Sequence, residues 1–176
     1  LLIIVMVASD PSNRALATEA GVYYLIAYTV TTLAAFGVLG LISSAHNERE
    51  SVQIQNISGL FWKQPLLASL MLAALLSLAG IPLTAGFIAK FYILSAAVRG
   101  YHWMLLAGLL MGSGIGIYYY LRVIFYMTKR PSEHSPRLST PRGWHTRAIS
   151  CALIASILLL GTVPQPLMEY LRSILI

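Results

Sequence analysis

Residues 77–94 read "SLAGIPLTAGFIAKFYIL", an apolar stretch that holds two glycines, a proline and one lysine. It lies in the longest hydrophobic run of the chain, residues 65–98. As one continuous helix those 34 residues would be about 51 Å long, against a bilayer hydrocarbon core of about 30 Å. Pro82 cannot donate to a helical ladder, Gly80 and Gly86 flank it, and Thr84 adds a hydroxyl. The sequence therefore predicts a helix broken near 80–86. Backbone freed at that depth is tolerated only where it is buried in protein or faces a polar cavity.

Lys90 follows the break by one helical turn. A lysine at the centre of a membrane helix costs about 2.5–3.5 kcal/mol on insertion scales. It stands about 12 Å from the end of its segment, long for a stem that must snorkel to the interface. No carboxylate within the apolar runs can pair with it. Asp10, Glu19, Glu48, Glu50, Glu133 and Glu169 fall in loops or at segment ends. Low dielectric disfavours the charged ammonium, so a lysine placed there can take up and release protons, the requirement for a relay.

The composition extends the same reading to the whole chain. Of 176 residues, 57% are hydrophobic and 10% charged, with a mean hydropathy of +0.73, far from the ~25% charged residues of a soluble domain. The expected fold class is all-α, a polytopic transmembrane helix bundle with one discontinuous helix. Apolar segments lie at 1–9, 20–44, 65–98, 102–127 and 144–163, and the tail 164–176 has a helical apolar spacing suited to an interface or a partner. The run at 1–9 is too short to cross and reads as the end of a helix begun upstream, so the chain is expected to be the C-terminal part of a longer one. Thr18 is expected to cap the second segment.

Sorting the loops by alternating spans puts Arg14, Arg99 and Arg172 on one side. Arg49, Lys63, Lys129, Arg130, Arg137, Arg142 and Arg147 fall on the other. The basic side is the cytoplasmic one by the positive-inside rule, which leaves the C-terminus on the non-cytoplasmic face. The net charge of +6 resides in these loops and reads as topology and lipid-headgroup contact, not nucleic-acid binding. The single cysteine, Cys151, can form neither an intrachain disulfide nor a metal site and reads as a packing residue. Arg122 sits about six residues from the cytoplasmic end of its segment, beside Tyr118, Tyr119, Tyr120 and Tyr126. It reads as an interface anchor or a secondary site. Gly108, Gly112 and Gly116 form one smooth face, read as a surface for close helix packing.

"SLAGIPLTAGFIAKFYIL", followed by "GSGIGIYYYLRVIFYM" and "VPQPLMEYL", resembles the C-terminal third of the antiporter-like subunit N family of respiratory complex I, the NADH–quinone oxidoreductase. The likeness runs from "EAGVYYLIAYTVTTLAAFGVLGLISS" onward. It implies a proton-translocating membrane subunit with Lys90 on the proton path, toward the exit side. The rest of that path would lie on earlier helices. It also implies that this chain carries no cofactor, with NADH, FMN, iron–sulfur clusters and quinone on other subunits. The partners implied are other membrane subunits of the complex, the lipid bilayer and protons, in a bacterial inner membrane. Two rival readings suit the same residues: a subunit of a multisubunit cation/proton antiporter, and a purely structural membrane subunit.

Overall fold

The computed structural model describes residues 14–45, 57–130 and 144–175. The partial helix expected at 1–9, the charged segment 46–56 and the proline-rich 131–143 lie outside them. Among the described residues all regular structure is helical. The order is α1 (Arg14–Ala45), the single turn α2 (Leu60–Lys63), α3 (Pro65–Ala79), α4 (Ala85–Arg99), α5 (Trp103–Thr128), α6 (Trp144–Thr162) and α7 (Gln165–Leu175). Helices α1, α5 and α6 are each long and apolar enough to cross a membrane. Helices α3 and α4 have 15 residues each, about 22 Å apiece, so neither crosses alone.

Helix α1 begins before the apolar run does. Thr18, expected as a cap, lies inside the helix and donates to the Arg14 carbonyl one turn back at 2.8 Å. A threonine hydroxyl does this readily in a helix and leaves no capping role for it. Glu19 is thereby drawn into the second turn and buried, 3% exposed, instead of lying at a segment end.

Helix α1 packs against α3, α4, α6 and α7, and among the described residues the two larger apolar cores lie on opposite sides of the break. The larger joins Val38 and Ile42 of α1, Leu60, Leu67 and Met71 of α2 and α3, Met127 of α5 and Ile157 of α6. The smaller joins Tyr23 and Ala27 of α1, Ala85 and Ala89 of α4, and Met168 and Leu171 of α7. Alanines in this second core let the helices come close, as small residues do where water supplies no hydrophobic drive. The outward faces stay apolar: Phe36, Met104, Met111, Phe125 and Leu159 are exposed. Cys151 shares that outer surface rather than packing inside, while Ser150, Leu153 and Ile154 on the other side of α6 face inward.

A second interruption separates α6 from α7 at Val163–Pro164. Pro164 has no N–H to give the Leu160 carbonyl four residues back. The Tyr23 hydroxyl of α1 donates to that carbonyl instead. The tail helix then lies along α1, where Arg172 Nε meets Glu19 Oε2 at 3.1 Å. That hydrogen bond, with the carboxylate charge behind it, raises the Arg172 pKa above its ordinary value.

Candidate functional site: the joint between the half-helices

Helix α3 stops by a specific chemistry. Gly80 sits at φ +83°, in the left-handed region that only glycine adopts without cost. Its N–H reaches the Ser77 carbonyl at 3.0 Å, and the Ile81 N–H reaches the Leu76 carbonyl at 3.0 Å. These two bonds make a Schellman ending, and Pro82 then prevents resumption of the helix. Leu83 follows with φ +73°, an uncommon conformation for a bulky residue. Thr84 is extended and starts α4, but its hydroxyl donates to the Ile81 carbonyl at 2.7 Å and caps nothing in α4.

Ending α3 leaves the carbonyls of residues 76 to 79 to be satisfied at or beyond the helix end, where Gly80 N–H also reaches the Leu76 carbonyl at 3.0 Å. The Schellman bonds satisfy Leu76 and Ser77. Lys90 satisfies the other two. Its Nζ donates to the Leu78 carbonyl at 2.9 Å and to the Ala79 carbonyl at 3.0 Å. An ammonium at a helix C-terminus also meets the negative end of the helix dipole. The N-terminus of α4 is served from the other direction: the Gly86 N–H donates to Ser77 Oγ at 3.0 Å. Each half-helix therefore caps its partner, Ser77 of α3 serving α4 and Lys90 of α4 serving α3.

The fit is tight. A Cβ on Gly86 would run into the Ser77 carbonyl, and one on Gly80 would stand 2.9 Å from Lys90 Cδ. Across α1, Thr31 Oγ1 donates to the Ala27 carbonyl and lies 3.3 Å from Ser77 Oγ, both hydroxyls fully buried.

Beside the joint lies a cavity of about 300 Å³, several times the ~30 Å³ that one water occupies in the liquid. Lys90, Ser77 and Gly86 line one wall, and Thr31, Tyr24 and Tyr28 of α1 line another. The third wall is Ser113, Tyr120 and the glycine face of α5. Gly108 and Gly112 have no atom within 4 Å of where a Cβ would stand. The smooth face read as close packing thus opens onto the cavity. Hydroxyls from α1 and α5 and the Lys90 amine can organise water there, the arrangement that proton transfer between titratable groups requires.

Of the residues singled out in the sequence, Gly80, Gly86 and Lys90 meet within this joint. Thr84 is buried at its edge, and Pro82 is exposed at the turn. Arg122 does not join them. It is exposed in a surface hollow of α5 with Tyr118, Leu121, Phe125 and Tyr126. Ser77 and Thr31 escaped notice in the sequence. The only available signal was that Ser77 stands one turn before the expected end of α3, within reach of freed backbone.

The comparisons with known proteins agree with this geometry. Residues 2–116 match the family described as "NADH:quinone oxidoreductase/Mrp antiporter, TM". Proteins named NADH-quinone oxidoreductase subunit N are similar at 40% identity in Chromohalobacter salexigens, over 91% of this chain and 34% of that protein. The Methylococcus capsulatus protein is 44% identical over 93% of this chain and 32% of its own length. That of Ectopseudomonas mendocina is 42% identical over 98% and 34%. A chain of the structure "Respiratory complex I from Thermus thermophilus with bound Aureothin" superposes with a TM-score of 0.75 and 32% identity, covering 89% of this chain and 36% of that one. The chain thus spans about a third of the length of the relatives it matches. With its broken helix and apolar bundle, it is a membrane protein and belongs to the NADH:quinone oxidoreductase/Mrp antiporter transmembrane family.

Proposed function

We propose that this chain is part of a proton-translocating membrane subunit of an NADH–quinone oxidoreductase, and that Lys90 carries the proton. The observation behind this reading is the seat of Lys90. Its amine is held by two backbone carbonyls, no carboxylate of the described residues is among its hydrogen-bond partners, and it faces a cavity large enough for water. An ammonium there can give a proton to water in the cavity: an N–H bond breaks, an O–H bond forms, and the neutral amine later takes a proton back. Electron transfer would take place on other subunits, which would hold NADH, FMN, iron–sulfur clusters and quinone. The chain would lie in a bacterial inner membrane among other membrane subunits of complex I, its C-terminus on the non-cytoplasmic side. Arg122, at the surface, would act as an interface anchor.

The test is proton translocation by the assembled complex with Lys90→Ala. The expected result is a clear fall in protons moved per quinone reduced, and normal translocation with normal assembly would contradict the relay role. The family description also names Mrp antiporters, so a cation/proton antiporter subunit is the second reading. Co-purification separates them: redox subunits accompany the chain in the first case, and only other hydrophobic antiporter subunits in the second.

A further inference from the structure

We propose that Ser77 is a positioning residue for Lys90: by capping the start of α4 from the end of α3, it sets the seat in which the amine rests. The inference rests on the relay reading above. Gly86 and Lys90 stand four residues apart on α4, hence on the same face of the helix. The hydrogen bond at Gly86 therefore fixes the turn from which the lysine stem departs. Helix α4 has no cap of its own, because the Thr84 hydroxyl is committed to Ile81. Ser77 is the side chain that takes the cap's place, and Thr31 holds its hydroxyl from α1 at 3.3 Å.

Two consequences follow from the reciprocal arrangement. The lysine can bridge the Leu78 and Ala79 carbonyls only while the start of α4 stays docked against the end of α3. Removing the Ser77 oxygen frees that start to shift, so the amine is correctly seated for a smaller share of the time. Ser77 itself exchanges no proton with substrate or solvent in this scheme. Its effect passes through Lys90.

The experiment compares Ser77→Ala, Ser77→Cys and Lys90→Ala in the assembled complex. Two quantities are read: amide hydrogen exchange over residues 85–90, and protons translocated per quinone reduced. Ser77→Cys keeps the volume but is a poor acceptor, so it controls for a small cavity in Ser77→Ala. Both Ser77 variants are expected to speed exchange by about fivefold, the equivalent of one hydrogen bond of ~1 kcal/mol, and to lower translocation. Ser77→Thr, which keeps the oxygen, restores both quantities. If the Ser77 variants match the unaltered complex while Lys90→Ala does not, the positioning role falls and the relay reading stands. If Lys90→Ala translocates normally, the relay reading falls. Faster exchange in Ser77→Ala would then mark a purely structural cap, which also overturns the positioning role.

Discussion

Among the described residues, α3 and α4 are separated at one proline and α6 and α7 at another, and the two breaks are filled differently. After Ala79 the freed carbonyls are taken by Lys90, a side chain that can change charge. Before Pro164 the freed carbonyl is taken by Tyr23, a hydroxyl that serves as a fixed neutral donor. The first break opens on a cavity, whereas at the second Leu160 packs against the cluster of Tyr23, Met168 and Leu171. A proline in a membrane helix thus has no functional meaning by itself. On the proposed reading, what fills the vacated hydrogen bond decides whether the break is a joint or a working site.

Substitutions at each break test that contrast. The largest effect is expected from Gly86→Leu, whose side chain would run into the Ser77 backbone. Overpacking of this kind costs about 1–3 kcal/mol, and here backbone must move. The amount of assembled complex should fall steeply, and normal amounts would show that the half-helices are not pressed together. Gly80→Ala comes next. A left-handed residue with a Cβ costs about 1–2 kcal/mol, and the Lys90 stem must also yield. Thermal unfolding of the complex should begin at a lower temperature, with reduced proton translocation.

At the second break, Tyr23→Phe removes the donor to Leu160 and should cost about 1 kcal/mol in stability while leaving translocation intact. Reduced translocation per quinone would place Tyr23 on the functional side of the comparison. The smallest effect is expected from Arg172→Gln. Its pair with Glu19 is exposed at the arginine end and weakens with salt, and the glutamine amide can still donate to the buried Glu19 carboxylate. Faster amide exchange confined to α7 is the expected outcome. An effect on α4 would mean the tail reaches the joint.

Much of the first break is legible in the sequence because its cause is local. Glycine before proline is a stop signal whose chemistry needs no tertiary context, and a lone lysine in an apolar run declares its own cost. The second break was less visible. "VPQP" marks an end equally well in a helix that leaves the membrane and in one that bends back along α1. Ser77 was hidden because a serine in an apolar helix ordinarily bonds its own backbone, and nothing local says that it faces Gly86. The α5 glycines show the limit from the other side: their spacing specifies a smooth face, but only the fold reveals that a cavity lies against it. Glu19 was misplaced because the helix starts before its apolar stretch, and a buried acid there depends on Arg172, far along the chain.

The central claim is that the two breaks differ in function because one is filled by a group that can release a proton. Its most direct test is the number of protons translocated per quinone reduced by the assembled complex, measured for Lys90→Ala beside Tyr23→Phe at equal assembly. A fall for Lys90→Ala with an unchanged value for Tyr23→Phe is predicted. Equal values for the two variants would contradict the account.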